Sequence, residues 1–367
     1  MSKDYTVTIP GHPSVYKELP RELNIYFSEP QSGVNEETGI LLFIAGFGGN
    51  ATSNVYKKMR KNFADKYNLI TVQCDYFGWQ YMQGAEDLSF NLNKDKIKTI
   101  LSNKDFIKLE SDNLNQEQFF NIIKDYHISI EANANLKENL EDFNDMGIMQ
   151  AIDNINAVLV VMAILEDNNL KFNKNKLIVY GNSHGAYLSY MCNAFAPSLF
   201  SLIIDNSAWI HPKYLYNDRI LMSSIGKCNF DIKFKYLASS LNLDKEILDL
   251  NKLYAKFDNN CNIICFHGTT DNLISNTDKF KFCSNIKRCV YNEISEDKVD
   301  GVIFKSTNHG LDADFIKLFD VVEEKYEQLL VKEEFDLYNI TYETNNFIYN
   351  IDYSLGVPNI SIYKNNK

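Results

Sequence analysis

A serine flanked by two glycines is the first feature of the chain that could support chemistry. Residues 181–185 read Gly-Asn-Ser-His-Gly, so Ser183 is the centre of a Gly-x-Ser-x-Gly pattern. A buried-strand pattern precedes this segment and a helix pattern follows it. A nucleophile on a strained strand-to-helix turn requires these glycines, because a Cβ two residues away would clash. The pattern predicts that Ser183 is a nucleophile; the alternative is an ordinary turn that contains a serine.

A base must activate such a serine, because a free hydroxyl is a poor nucleophile. The chain contains six histidines. His184 directly follows Ser183, so its side chain should point away from the serine hydroxyl. His309 lies in a loop after the last predicted core strand, where the base of a triad with this order is expected. We therefore predict that His309 is the base; the alternative is a loop histidine bonded to the backbone.

An acid must hold the base in one tautomer, and two aspartates compete for this role. Asp271 follows a strand and the tight turn His267-Gly268-Thr269-Thr270. Asp205 ends the strand after the nucleophile helix, where its neighbours Asn206 and Ser207 could instead form a capping turn. The sequence favours Asp271. The order serine, acid, histidine, with gaps of 88 and 38 residues, is that of the α/β-hydrolase fold and differs from that of chymotrypsin or subtilisin.

Two backbone N–H groups must stabilise the negative charge that forms on an attacked carbonyl oxygen. The N–H of His184 is the first predicted donor. A second glycine-rich segment, Gly46-Phe47-Gly48-Gly49, follows an early buried strand, and small residues there let the backbone approach a substrate. We predict Phe47 as the second donor and Gly48 as the next choice. The alternative is a flexible strand-to-helix turn without this role.

Strands that are apolar on both faces alternate with helix patterns, which is typical of an α/β fold with a mostly parallel sheet and helices on both faces. Two alternating stretches near the start, residues 5–9 and 23–27, are predicted as antiparallel edge strands. The predicted buried strands are 40–45, 69–74, 176–180, 202–205, 262–267 and 302–305.

The sequence predicts one α/β domain over residues 1–334 with two insertions. Residues 80–144 are rich in polar residues and carry amphipathic helix patterns, so they are predicted as a helical insertion that either caps a site or has no role. Residues 209–258 are predicted to be mostly helical and are a second candidate lid. The tail, residues 335–367, alternates again and is predicted as a C-terminal β-hairpin extension.

These motifs resemble those of the α/β-hydrolase superfamily of serine hydrolases, over about residues 40–210 and 260–330. The His-Gly-x-x-Asp turn is similar to that of prolyl-oligopeptidase-type and dienelactone-hydrolase-type members. The sequence departs from the superfamily in its long insertion before the nucleophile. It also has Gly46 where a histidine of the oxyanion loop is usual.

The layout also resembles an uncharacterised bacterial family whose genes often lie near flagellar glycosylation genes. The segments 45–50, 75–78 and 181–187 carry this resemblance, which implies acyl chemistry on a sugar. The expected function is a serine esterase, deacetylase or O-acyltransferase that acts on a carboxylic ester, with O-acetyl sugars among the candidates. The alternatives are a serine peptidase of the prolyl-oligopeptidase type and a non-catalytic binding module on the same fold.

The composition argues against several other functions. The formal net charge is −11, and an acidic chain repels phosphate backbones, so no nucleic-acid partner is expected. The longest apolar run, residues 157–165, has nine residues, whereas a membrane span needs about 20, so no membrane partner is expected either. The N-terminal residues lack the apolar stretch of a signal peptide, which predicts a cytoplasmic protein.

No cofactor or metal is expected from the sequence. The seven cysteines show no Cys-x-x-Cys spacing, so neither a disulfide framework nor a zinc knuckle is predicted. The glycine-rich segment 46–50 lacks the Gly-Lys-Ser/Thr of a P-loop and the third glycine of a dinucleotide-binding loop. The oligomeric state is not predicted.

Overall fold

The structure is a computed structural model that describes residues 2–85, 87–110 and 114–366. The chain divides into two compact units. The large unit comprises Met1–Gln83, Leu140–Lys213 and Asn242–Lys367, and the small unit comprises Gly84–Asn139 and Tyr214–Leu241.

The described residues form fifteen strands and nine α-helices. The strands are β1 (Lys3–Gly11), β2 (Arg21–Glu29), β3 (Gly39–Ile44), β4 (Leu69–Cys74), β5 (Leu88–Asn91), β6 (Ser129–Ala134), β7 (Leu177–Asn182), β8 (Leu202–Asn206), β9 (Arg219–Ile225), β10 (Cys228–Phe234), β11 (Asn262–Gly268), β12 (Cys289–Ile294), β13 (Ile340–Glu343), β14 (Phe347–Asp352) and β15 (Asn359–Lys364). The α-helices are α1 (Asn54–Tyr67), α2 (Lys94–Ile100), α3 (Asn103–Leu109), α4 (Gln116–Ile123), α5 (Ile148–Asp167), α6 (His184–Phe195), α7 (Leu250–Tyr254), α8 (Asn276–Ser284) and α9 (Phe315–Tyr326).

An eight-stranded sheet forms the centre of the large unit, in the order β1-β2-β4-β3-β7-β8-β11-β12. The six strands from β4 to β12 in this order are parallel, and β1 and β2 add an antiparallel edge. Every residue of β3 and β4 is buried, as expected for parallel strands covered by helices on both faces. The predicted α/β class and the antiparallel entry strands are confirmed.

The last core strand was predicted at the wrong place. Residues 302–305 form no strand, because the Asp300 carboxylate accepts hydrogen bonds from the N–H groups of Val302, Ile303 and Phe304 at 2.8, 2.7 and 3.1 Å. These donors are therefore unavailable to a neighbouring strand. The eighth strand is instead β12, which is partly exposed at the edge of the sheet and so lacks the continuous apolar run of a buried strand.

The small unit contains a four-stranded sheet in the order β5-β6-β10-β9. Buried and exposed residues alternate along β10, and Phe230 on its buried face lies 5.5 Å from the Phe120 ring of α4. The insertion at 80–144 therefore contains two strands besides its helices. The prediction that residues 209–258 are mostly helical is wrong, because β9 and β10 form a hairpin there and α7 has only five residues.

The tail extends the predicted hairpin β13–β14 by a third strand, β15. This small sheet contacts the end of α6, the helix that follows Ser183. The hydroxyls of Tyr342 and Tyr353 donate to the last carbonyls of α6, those of Ala194 and Phe195, at 2.6 and 2.8 Å. Because helix ends leave carbonyls without intrahelical partners, the two tyrosines act as its C-terminal cap.

The helix α5 lies beside α6 in the core of the large unit. By length and composition it is the one helix among residues 2–85, 87–110 and 114–366 that could cross a membrane, and most of it is buried in the fold.

Candidate active site

Ser183 lies on the sharp turn between β7 and α6. Its backbone has φ 57° and ψ −121°, a conformation that non-glycine residues rarely adopt. A Cβ on Gly181 would lie 2.4 Å from the Ala186 backbone, and one on Gly185 would lie 2.0 Å from the Ile44 carbonyl oxygen. Both glycines of the motif are therefore required by close backbone contacts, and the turn presents the serine at the N-terminus of α6.

The structure brings the three predicted triad residues together. His309 Nε2 lies 2.7 Å from Ser183 Oγ, and His309 Nδ1 lies 2.7 Å from Asp271 Oδ2. A carboxylate accepts hydrogen bonds, so Nδ1 carries the proton and Nε2 accepts from the serine hydroxyl. This arrangement can remove a proton from Ser183 when the serine attacks an electrophile.

Asp271 is held in place by the turn that follows it. Its Oδ1 accepts from the N–H groups of Leu273 and Ile274 at 2.8 and 3.1 Å, and its side chain is buried. Burial alone would raise the pKa of Asp271, but the hydrogen bond and charge of His309 outweigh it and hold that pKa below its ordinary value of 3.8. The group is therefore an ionised acceptor near neutral pH.

We expect Asp271→Asn to lower kcat/KM for an ester by about 10³- to 10⁴-fold, because the amide no longer fixes the tautomer of His309.

The depressed pKa of Asp271 also predicts a pH effect on the stability of the fold. Ionised Asp271 stabilises the fold fully above the ordinary value, and this contribution is lost as the pH falls through the lower folded value. The Tm difference between wild type and Asp271→Asn should shrink as the pH falls below about 4. A difference that instead grows on acidification would contradict this assignment.

Asp205, the competing acid, has other partners. Its carboxylate lies 2.7 Å from Lys279 Nζ, and both side chains are fully buried. It also accepts from the Tyr190 hydroxyl at 2.8 Å and the Ala208 N–H at 2.7 Å. Burial alone would raise the pKa of Asp205, but Lys279 outweighs it and keeps that pKa below its usual value. Asp205 is thus part of a structural ion pair, and Asp271 is the acid that contacts His309.

The loop that carries His309 is anchored to the end of β8. The Gly310 N–H donates to Ser207 Oγ at 3.0 Å, and Asn206 Nδ2 donates to the Gly310 carbonyl at 3.2 Å. The Asn206 carbonyl also accepts from the Ser183 N–H at 2.8 Å. Asn206 and Ser207 therefore position both the nucleophile and the base. Sequence reasoning considered them only as a capping turn, although their place at the carboxyl end of a central strand was a usable signal.

The predicted oxyanion segment lies next to the nucleophile. A Cβ on Gly46 would lie 3.2 Å from the Ser183 Cβ, which shows how closely this loop approaches the serine. The N–H of Gly48 donates to the Met82 carbonyl at 3.0 Å, so it is already used within the fold. The N–H of His184 belongs to the first turn of α6, where helix N–H groups have no intrahelical acceptor. We therefore retain Phe47 and His184 as the candidate donors and set Gly48 aside.

The side chain of His184 is buried and points to α5. Gln150 donates through Nε2 to the Phe77 carbonyl and to Asn144 Oδ1, so its Oε1 accepts from His184 Nε2 at 2.7 Å. Burial lowers the pKa of His184 to about 3, which keeps the ring neutral. Gln150 therefore fixes the residue after the nucleophile, a contact across 34 positions that no local pattern predicts.

Within residues 2–85, 87–110 and 114–366, no group of three or more His, Cys, Asp or Glu side chains is arranged to hold a metal ion.

Comparison with known proteins identifies the fold. The sequence model of the family described as protein of unknown function (DUF2920) matches residues 5–235. No curated protein matches the chain. Among solved structures, acylaminoacyl peptidase from Pyrococcus horikoshii is similar with a TM-score of 0.50 and 13% identity, over 91% of this chain and 43% of the peptidase. This likeness shows the α/β-hydrolase fold that the sequence predicted.

Two esterase structures are also similar. The esterase Est1E from Butyrivibrio proteoclasticus, with ferulic acid bound, gives a TM-score of 0.46 and 14% identity over 85% of this chain and 96% of its own. Esterase 2 from Thermogutta terrifontis gives 0.47 and 14% over 89% of this chain and 97% of its own.

Proposed function

The chain belongs to the family of proteins of unknown function DUF2920, and we propose that it is a serine hydrolase that cleaves carboxylic esters through an acyl-enzyme on Ser183. The continuous relay from Ser183 through His309 to Asp271, with both contacts at 2.7 Å, is the observation that carries this proposal. The relay stands on a strained turn at a helix N-terminus, where a nucleophile and an oxyanion site meet.

In the first half of the reaction, Ser183 Oγ attacks the carbonyl carbon of the ester while His309 Nε2 takes the hydroxyl proton. The N–H groups of Phe47 and His184 stabilise the oxyanion of the tetrahedral intermediate. Protonated His309 then donates its proton to the departing alcohol oxygen, and Asp271 stabilises the imidazolium throughout. The alcohol leaves and the acyl group remains on Ser183.

In the second half, an acceptor hydroxyl attacks the acyl-enzyme, and His309 again takes its proton. When the acceptor is water, the products are a carboxylic acid and free enzyme; when it is a sugar hydroxyl, the acyl group is transferred. We propose hydrolysis as the main reaction and an ester carried by a sugar as the natural substrate. The resemblance of segments 45–50, 75–78 and 181–187 to a glycosylation-associated family supports the sugar.

A fluorophosphonate tests the proposal directly, because it phosphonylates activated serines. The purified chain is treated with the reagent, its intact mass is measured and the adduct is mapped by peptide sequencing. We expect one adduct, on Ser183, and loss of labelling in His309→Ala. A folded wild-type protein that takes up no reagent would overturn the proposal and favour the non-catalytic binding module.

A further inference from the structure

Three aromatic rings pack against one another beside the candidate oxyanion site. The Trp209 ring stacks on the Phe47 ring, with centroids 5.4 Å apart and an interplanar angle of 28°. The His184 ring lies 5.0 Å from Trp209 and 5.2 Å from Phe47. Phe47 and His184 are the residues whose N–H groups are the proposed oxyanion donors. We call these three residues the aromatic wall.

Two members of the aromatic wall lie in the interior. Trp209 is 1% exposed and His184 is fully buried, whereas Phe47 is partly exposed. The volume beside the donors is therefore filled with side chains, with Phe47 as the surface that faces outward. Protein interiors are packed closely enough that an additional group enters only when a side chain moves.

The backbone beside Trp209 is held firmly. The Ala208 N–H donates to Asp205 Oδ1 at 2.7 Å, and the Ala208 carbonyl accepts from Lys279 Nζ at 3.2 Å. Both of these charged partners are fully buried in one ion pair. The loop that carries Trp209 is thus attached to the core through both peptide groups of Ala208. We expect the wall to keep its position when a substrate binds.

The geometry of the tetrahedral intermediate limits where an acyl chain can go. Of its four substituents, one is Ser183 Oγ and one is the oxyanion, which faces the two donors. The departing oxygen must lie within hydrogen-bond reach of His309 Nε2. The acyl chain takes the remaining direction, away from His309, on the side of the donor residues, where Phe47 is the partly exposed side chain.

We infer that the aromatic wall restricts this enzyme to esters of short acyl groups, with acetyl preferred and Trp209 as the specificity-determining residue. The inference rests on the proposed function, because it assigns the acyl side of the same site. Trp209 packs directly behind the partly exposed Phe47, so the two rings together exclude a long chain sterically. The alcohol side near His309, whose side chain is 17% exposed, is not subject to this limit.

The test measures kcat/KM for p-nitrophenyl acetate, butyrate and octanoate, which differ only in the acyl chain. We expect the wild type to prefer acetate over octanoate by at least about 100-fold, since even single methylenes change such ratios by about tenfold or more. Trp209→Ala opens the wall, and the acetate-to-octanoate ratio should fall by at least about tenfold. Trp209→Leu should give an intermediate ratio and serves as a second variant if the alanine substitution impairs folding.

Phe280→Ala is the control, because Phe280 is an exposed aromatic residue of α8 that packs on Tyr291 and lies outside the aromatic wall. Its acetate-to-octanoate ratio should equal that of the wild type. A wild type that hydrolyses octanoate as well as acetate overturns the inference, and so do folded Trp209 variants with an unchanged ratio. In both cases fluorophosphonate labelling of Ser183 would persist. Loss of labelling together with inactivity toward all three esters would instead reject the proposed function.

Discussion

Replacement of Ser183 by alanine should lower kcat for p-nitrophenyl acetate by at least about 10⁴-fold, because the acyl-enzyme can no longer form. Backbone N–H donors and binding alone leave a residual rate above that in water. The measurement is steady-state turnover of the purified variant, together with a check of its Tm. Ser189→Ala is the matched control, since Ser189 is a buried serine of the same helix whose hydroxyl donates to the Gly185 carbonyl at 3.0 Å. It should keep turnover close to that of the wild type.

His309→Ala should reduce turnover by a similar factor, because Ser183 and His309 act as one unit through their 2.7 Å contact. The double variant should be no slower than either single variant, since residues that act together lose their effect together. If the two losses of turnover were strictly additive in free energy, Ser183 and His309 would contribute independently. That result would contradict a mechanism in which His309 activates Ser183. Wild-type turnover in folded Ser183→Ala would refute the mechanism.

Lys279→Met should cost about 3–5 kcal/mol in the free energy of unfolding. The substitution leaves the Asp205 carboxylate buried without its cation, and removing one partner of a buried pair is far more harmful than replacing both. Burial alone would lower the pKa of Lys279, but Asp205 outweighs it and keeps that pKa above its usual range, so both partners are charged at neutral pH. Urea unfolding monitored by circular dichroism measures the loss.

The double variant Lys279→Met with Asp205→Asn should recover most of the lost stability, because it removes the uncompensated charge. Asparagine can still accept from the Ala208 N–H, a contact that Asp205 makes at 2.7 Å. If Lys279→Met alone lowers the free energy of unfolding by less than about 1 kcal/mol, the Lys279–Asp205 pair behaves like a solvent-exposed salt bridge, which would contradict the structure.

The parts of the site that depend on local turns could be predicted from the sequence. The turn at Ser183 requires glycines at fixed offsets, and the strands that lead to Ser183 and Asp271 are buried apolar runs. Because the carboxyl ends of parallel strands meet at one edge of a sheet, residues that end such strands converge. Chain order predicts His309 as the base. The structure places His309 beside Ser183 even though the described residues 302–305, predicted as the preceding strand, form none.

The parts that failed depend on side-chain bonds or on context beyond the local pattern. The Asp300 carboxylate takes three consecutive N–H groups and so prevents a strand in an apolar segment. The prediction of helix over the hairpin β9–β10 is wrong although β10 alternates buried and exposed residues, a period-two signal that the sequence contains. The contact of Gln150 with His184 joins two helices, and the anchoring of Gly310 by Ser207 spans 103 positions. Such pairs are set by tertiary packing.

The tyrosine cap on α6 has a consequence for how the protein is made. The hydroxyls of Tyr342 and Tyr353 complete the far end of the helix whose near end carries the nucleophile. Strand β13 begins 157 positions after Ser183, and at about 5–20 residues per second its synthesis follows that of the serine by roughly 8 to 30 s. During that interval the nascent chain has its serine but not the cap of the helix that holds it. Asp271 and His309 also follow Ser183 in the chain, so the triad is complete only after most of the large unit has been synthesised.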